Sequence, residues 1–269
     1  MAPLLFISHG GPGSILKQQD KETIKYWREL GQSDPFASVA GVVCVSAHWF
    51  VAGNSPLQAS VSSNIIYDFG EFYPGIYNET YPFLAPPAKI VNSLIGTMAK
   101  SGLQVTAKER GLDHGTWTPF KFMFPNGKMP ILQIQLPFTN NFDVYTSIGK
   151  SIREFADENN YAIIASGGIT HNLQDAFHNM EMGLSPPPEP AAIEFVRHIH
   201  EILVAKPNAS GSELMAIIQS WPSFLQFHPT LDHFIPILVA HGARTHETIA
   251  LENTYWSLGS LSLAALHFQ

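Results

Sequence analysis

The sequence predicts an α/β fold, a single domain built on a mixed, largely parallel sheet flanked by helices. Two observations carry this expectation. Short apolar runs recur along the whole chain and helical patterns fall between them, the alternation that builds parallel strands joined through helices. Hydrophobic residues make up 45% of the 269 residues and charged residues 14%, which supplies a large core and leaves little charge to sustain disordered tails.

Taken in order, residues 4–8, 41–46, 102–106, 129–136, 161–166 and 234–240 are expected to be buried strands, because continuous apolar runs of this length suit strands covered on both faces. Residues 21–30 carry apolar side chains near three-to-four spacing and predict a helix. Residues 86–100 open with prolines suited to a first helical turn, and residues 144–158 run up to Asn159-Asn160. Residues 191–203 predict a fourth helix after the Pro-rich stretch 183–190. No change in composition follows that stretch, so residues 1–269 are expected to form one domain. The loop 67–87 is too broken by Pro and Gly for a helix and too apolar for a solvated linker. A loop of this length either walls a pocket or covers core.

The net charge of −7, with 15 basic residues and no Lys/Arg run, argues against a nucleic-acid footprint or a membrane-surface patch and favours a small-molecule partner. No basic n-region opens the chain and no run of eighteen apolar residues occurs, so a cytoplasmic protein is expected. Cys44 lies within Val42-Val43-Cys44-Val45 and reads as a buried structural thiol.

Twelve histidines are the compositional oddity. The strand at 4–8 runs into His9-Gly10-Gly11-Pro12-Gly13, the strand at 41–46 into Ala47-His48-Trp49, and the strand at 161–166 into Gly167-Gly168-Ile169-Thr170-His171-Asn172. Three strands thus deliver a histidine at or past their carboxyl ends, the edge of an α/β sheet where ligands bind. His114, in Asp113-His114-Gly115-Thr116-Trp117, and His233, in Asp232-His233-Phe234-Ile235-Pro236, sit in similar contexts. Neutral imidazole suits Zn, Fe, Cu or Ni. Histidines 178, 198, 200, 246 and 267 read as surface or partly buried; His228 and His241 stay undecided, with His228 a candidate to position substrate. The glycines after His9 lack the Lys-Ser/Thr ending of a P-loop and the dinucleotide spacing; they let backbone pass close to a metal or substrate. Neither Ser8 nor Ser46 sits in a Gly-x-Ser-x-Gly elbow.

Together the segments Ser8-His9-Gly10-Gly11-Pro12, Ser46-Ala47-His48-Trp49-Phe50, Tyr67-Asp68-Phe69-Gly70 with Phe72 and Pro74, Asp113-His114-Gly115-Thr116-Trp117, Thr170-His171-Asn172-Leu173 and His228-Pro229 with Asp232-His233-Phe234-Ile235-Pro236 resemble the extradiol ring-cleaving dioxygenases of the LigB superfamily, in their 4,5-DOPA dioxygenase branch. The resemblance implies a mononuclear non-haem metal held by His9, His48 and His233, Fe(II) in the working enzyme and often Zn(II) in the protein as isolated. It implies catalytic acid/base or substrate-orienting roles for His171 and His114, with His171 near enough to be a fourth ligand. It also implies a catechol and O₂ as substrates, DOPA opening to 4,5-seco-DOPA, the precursor of betalamic acid. The wider superfamily uses a glutamate as third ligand where this chain offers His233, which leaves the metal without a carboxylate ligand. Trp49, Tyr67, Phe69, Phe72 and Trp117 either shape a flat pocket for the ring or pack as core. Two other readings of the same residues are a zinc-dependent hydrolase, since three histidines and a water can generate hydroxide near neutral pH, and a non-enzymatic ligand-binding protein.

Overall fold

The computed structural model describes residues 1–52, 56–70 and 74–269. Its strands are β1 (Leu4–Ser8), β2 (Gly41–Ala52), β3 (Leu57–Ser60), β4 (Val105–Lys108), β5 (Ile131–Phe138), β6 (Tyr161–Gly167), β7 (Ile249–Glu252), β8 (Trp256–Ser257), β9 (Leu261–Ser262) and β10 (Ala265–Phe268). The helices are α1 (Pro12–Leu16), α2 (Lys21–Gln32), α3 (Asp34–Ala37), α4 (Ala88–Lys100), α5 (His114–Met123), α6 (Asp143–Asn159), α7 (Leu173–Glu181), α8 (Pro190–Ala205), α9 (Gly211–Gln219), α10 (Phe224–Phe227) and α11 (Ile235–Ala243). The main sheet has the order β4-β3-β5-β2-β6-β1-β10-β7, and β8 and β9 form a separate hairpin. Its four central strands, β5, β2, β6 and β1, run parallel, while β3 pairs antiparallel with β5 and β10 antiparallel with β1 and β7.

Alternate side chains of each central strand enter different cores. Leu4 and Phe6 of β1 and Val43 and Val45 of β2 pack with residues of α4, α6, α8, α9 and α11. Leu5 and Ile7, with Val42 and Cys44, face the other side, with residues of α1, α2, α3 and α5. Burial on both faces is why these strands read as unbroken apolar runs. The predicted helices form within a few residues of their expected bounds; α6 stops where Asn160 turns left-handed at φ 55°, a conformation asparagine tolerates.

The run 234–240 is not a strand. It forms most of α11, buried almost all round and packed on β6, β1 and α6, because a continuous apolar run does not distinguish a central strand from a fully buried helix. Pro236 was the available signal: it sits in the helix's first turn, where its missing N–H costs nothing, and would break the ladder of a central strand. The strand expected at 102–106 starts later, at Val105. Helix α11 crosses α6 at backbone distance: a Cβ on Gly149 would stand 2.1 Å from the Val239 carbonyl oxygen, so only glycine fits the crossing.

One irregularity positions chemistry. Strand β2 pairs with β5 at Val45↔Ile134 and again at Phe50↔Leu136, so residues 46–49, His48 among them, bulge opposite Gln135 alone. Such a bulge re-aims a side chain away from the regular pleat.

Gly149→Val should lower unfolding free energy by about 3 kcal/mol, the scale of severe overpacking, read as a reduced urea midpoint; an unchanged midpoint would contradict the close crossing.

Candidate metal centre

Three imidazoles meet at the carboxyl edge of the parallel strands. His9 follows the end of β1, His48 lies in the bulge of β2, and His233 ends the turn that enters α11. His48 Nε2 is 3.1 Å from His9 Nε2 and 3.2 Å from His233 Nε2. Donors about 2.1 Å from a shared metal, at angles between octahedral and tetrahedral, stand about 3.0–3.4 Å apart. The three ligand atoms lie close enough together to hold one metal ion.

The opposite ring nitrogens each have an oxygen nearby. Ser166 Oγ donates its only proton to the Gly115 carbonyl, so the His9 Nδ1–H donates to Ser166 Oγ, at 2.9 Å, and Nε2 carries the lone pair. His48 Nδ1 faces Asp68 Oδ2 at 3.4 Å, and a carboxylate, which only accepts, favours the proton on Nδ1 there; His233 Nδ1 lies 3.3 Å from Asp232 Oδ1 without hydrogen-bonding it. All three Nε2 atoms face a common point. A cation there would meet three imidazole nitrogens, with Ser166 behind His9 and Asp68 behind His48. Asp68 and Asp232 bring negative charge within 3.4 Å of the outer nitrogens of His48 and His233.

Burial keeps these rings neutral. It lowers the pKa of His48 to about 3, the neighbouring His114 adding to the effect and Asp68 opposing it. His9 and His233 are pushed well down by burial first and by the neighbouring histidines next. Burial alone would raise the Asp68 carboxyl, but the hydrogen bond and charge of His114, with His48, bring it below its usual value. Neutral imidazole and ionised carboxylate are the forms a metal site requires.

His114 and His171 flank the three. The His114 backbone N–H donates to Asp68 Oδ1 at 2.9 Å, its Nδ1 lies 3.1 Å from the same oxygen, and its ring centre is 3.8 Å from that of His48. The ring of His171 stacks on that of His233, with centroids 3.3 Å apart and planes 11° from parallel. Burial lowers the His171 pKa to about 4, with Asp232 opposing. Gly115 lets α5 approach from behind: a Cβ there would come within 2.6 Å of Ser46 Oγ and 3.0 Å of His48 Cδ2.

Behind His48 sits a network the sequence did not disclose. The fully buried Asp113 accepts from Ser46 Oγ at 2.7 Å, from Gln133 Nε2 and from Arg110. Burial and the charge of Asp68 raise its pKa, against the pull of Arg110. Arg110 also donates to the His48 carbonyl and lies 4.4 Å over the Trp49 ring. Asp113 and Asp68 stood inside recognised motifs, but nothing local tells a carboxylate that folds back on a histidine from one that caps a turn.

A cleft of about 310 Å³ opens over the five histidines. Of the aromatics expected to shape it, Phe69 lines it. Trp117 is fully buried and donates to the Ile66 carbonyl, Tyr67 donates to the Glu79 carbonyl, and Trp49 is buried under Arg110; these three belong to the packing. Phe72 lies outside the described residues. His228 does not reach the cleft: it is fully buried, donates from Nε2 to the Ile169 carbonyl at 2.7 Å and packs among Phe195, Phe224 and Phe234. His241 likewise bonds the Ala209 carbonyl. Among the described residues no helix is long and apolar enough to cross a membrane.

An α/β sheet that gathers neutral imidazoles at its carboxyl edge, under an open cleft, is the frame of a metal-dependent enzyme acting on a small molecule. Comparison with known proteins narrows the class: the family described as the catalytic LigB subunit of aromatic ring-opening dioxygenase matches residues 3–265, and the chain belongs to it. The 4,5-DOPA dioxygenase extradiol of Escherichia coli (strain K12) is 27% identical over 98% of this chain and 93% of its own length. The enzyme of the same name from Beta vulgaris is 29% identical over 98% and 95%, and the dioxygenase tasH of Hapsidospora irregularis 26% over 92% and 79%. A crystal structure of the uncharacterized protein JW3007 from Escherichia coli K12 shares the fold, with a TM-score of 0.74, 21% identity and full coverage of both chains. The chain is an aromatic ring-opening dioxygenase.

Ser166→Ala and Asp68→Asn should each weaken metal binding about 10- to 100-fold while the fold persists, measured by chelator competition; unaltered affinity would remove their orienting role. His228 gives a pH test apart from the metal. Its pKa falls from about 6.5 unfolded to about 4 folded, chiefly through burial, so the stability it confers is present above pH 6.5 and lost as pH falls toward 4. Metal-free His228→Gln should therefore lose roughly 3 kcal/mol less than the parent between these pH values, measured by urea titrations.

Proposed function

We propose that this chain is an extradiol dioxygenase that opens a catechol ring with O₂, its metal held by His9, His48 and His233. The observation that carries the reading is the convergence of three imidazole Nε2 atoms on one point in an open cleft. The donor set, three neutral imidazoles backed by oxygen acceptors, fits a divalent iron or zinc ion. When bound, Fe(II) would supply open coordination positions for the two catechol oxygens and for O₂, the feature that separates this chemistry from a hydrolase.

The protein's own groups then have distinct tasks. His171 is neutral at pH 7 and stands at the cleft face of His233, placed to take a catechol hydroxyl proton as the ring binds. His114, held by Asp68 against His48, is placed to hydrogen-bond the opposite oxygen or return the proton to the product. Phe69 flanks His114 with its ring 5.4 Å away and covers that side of the cleft. Both atoms of O₂ enter the product, a muconic semialdehyde. DOPA, named for several relatives, is the first catechol to offer, and it would open to 4,5-seco-DOPA. The single thiol, Cys44, is buried and free, in keeping with action in the reducing cytoplasm.

Protein loaded anaerobically with Fe(II) is expected to consume O₂ with DOPA and simple catechols and to form a yellow ring-opened product; iron-replete protein inert to a catechol panel would reject the proposal. His9→Ala, His48→Ala and His233→Ala should abolish metal binding, whereas His171→Ala should keep most metal and lose turnover. Equal metal loss in all four would make His171 a ligand.

A further inference from the structure

The far end of the cleft differs in character from its floor. Helix α7 contributes Leu173, Ala176, Phe177 and Met180, a stripe at i, i+3, i+4 and i+7, and the β8–β9 hairpin contributes Leu258 and Leu261. All four line the cleft, and Leu173 and Phe177 are each 38% exposed.

The hairpin holds its apolar side chain at a cost. Leu258 has φ 51° and the next residue, Gly259, φ 71°, in the three-residue connection between Ser257 and Leu261. A leucine in the left-handed region is uncommon, and strain of this kind gathers at ligand sites. Asn179 of α7 donates to the Leu258 carbonyl at 2.9 Å, so helix and turn form one wall.

Charge is the second observation. Among the described residues that line the cleft, Asp232 is the only Asp, Glu, Lys or Arg. Residues 53–55 and 71–73 read Gly-Asn-Ser and Glu-Phe-Tyr, so they cannot add a Lys or Arg to the wall. Arg110 is turned to Asp113, the His48 carbonyl and Trp49, and Lys17 borders a smaller groove with Pro74 and Glu79. A carboxylate on the substrate's tail would meet apolar side chains on this wall and, among the described lining residues, no Lys or Arg to pair with.

We propose that the preferred substrate is a catechol with an uncharged, apolar substituent, seated against the α7 stripe and Leu258, and that an amino-acid or carboxylate tail is disfavoured. This rests on the reading of the site as an extradiol dioxygenase centre. DOPA is then accepted through its ring in spite of its tail.

The test uses Fe(II)-loaded protein and matched tails: 4-methylcatechol, 4-propylcatechol, 3-(3,4-dihydroxyphenyl)propanoate and DOPA, by O₂ uptake. The value of kcat/KM should rise about fourfold per methylene from methyl to propyl. It should fall at least about tenfold from propyl to propanoate or DOPA, with the same ranking in dissociation constants from anaerobic calorimetry. Met180→Arg, which places a cation beside the tail, should narrow the propyl-to-propanoate ratio. Equal or higher kcat/KM for the propanoate or DOPA overturns the proposal and leaves the dioxygenase reading intact, as does a ratio unmoved by a folded Met180→Arg. No O₂ uptake with any of the four rejects the dioxygenase reading itself, and this proposal with it.

Discussion

Three imidazole Nε2 atoms meet at one point, and much of the architecture around this cleft holds them there. An oxygen stands at the far nitrogen of each ring: Ser166, hydrogen-bonded to His9, Asp68 at His48 and Asp232 beside His233. Those oxygens are fixed in turn by the Gly115 carbonyl, the His114 backbone N–H, and the His233 N–H with Thr230. The arrangement needs a frame that does not relax, since a ring free to rotate would carry its Nε2 away from the other two. Parallel strands buried on both faces give that frame, and the bulge in β2 aims His48 across it.

The electrostatics follow from the same geometry. No carboxylate stands among the three facing nitrogens, so a bound cation would meet neutral donors and feel the negative charge of Asp68 and Asp232 through the imidazoles. Arg110 and Asp113 form a separate balanced pair behind His48 and contribute packing and backbone restraint. The cleft is consequently polar at its floor and apolar at its far wall.

The strand-end positions of His9, His48 and His171 were legible because each follows an apolar run whose periodicity marks a buried strand. His233 was found with its neighbourhood misread: the run after it is α11, and only Pro236 argued against a strand. The aromatics were not sortable, since Trp117 and Phe69 sit in equally aromatic motifs and only packing sends one to the core and the other to the cleft. Asp68 lies 46 residues from the His114 amide it accepts from, and Ser166 lies 157 residues from His9. No local pattern encodes partners at such separations.

By itself, then, the sequence determined the layer architecture, the edge of the sheet and the histidines that gather there, because periodicity and turn chemistry are local properties. The tertiary structure alone decided which nitrogen of each histidine points inward, which carboxylates stand behind them, and that the stripe on α7 faces an open cleft. Those are matters of orientation and of partners distant in the chain, and they exist only once the chain has closed on itself.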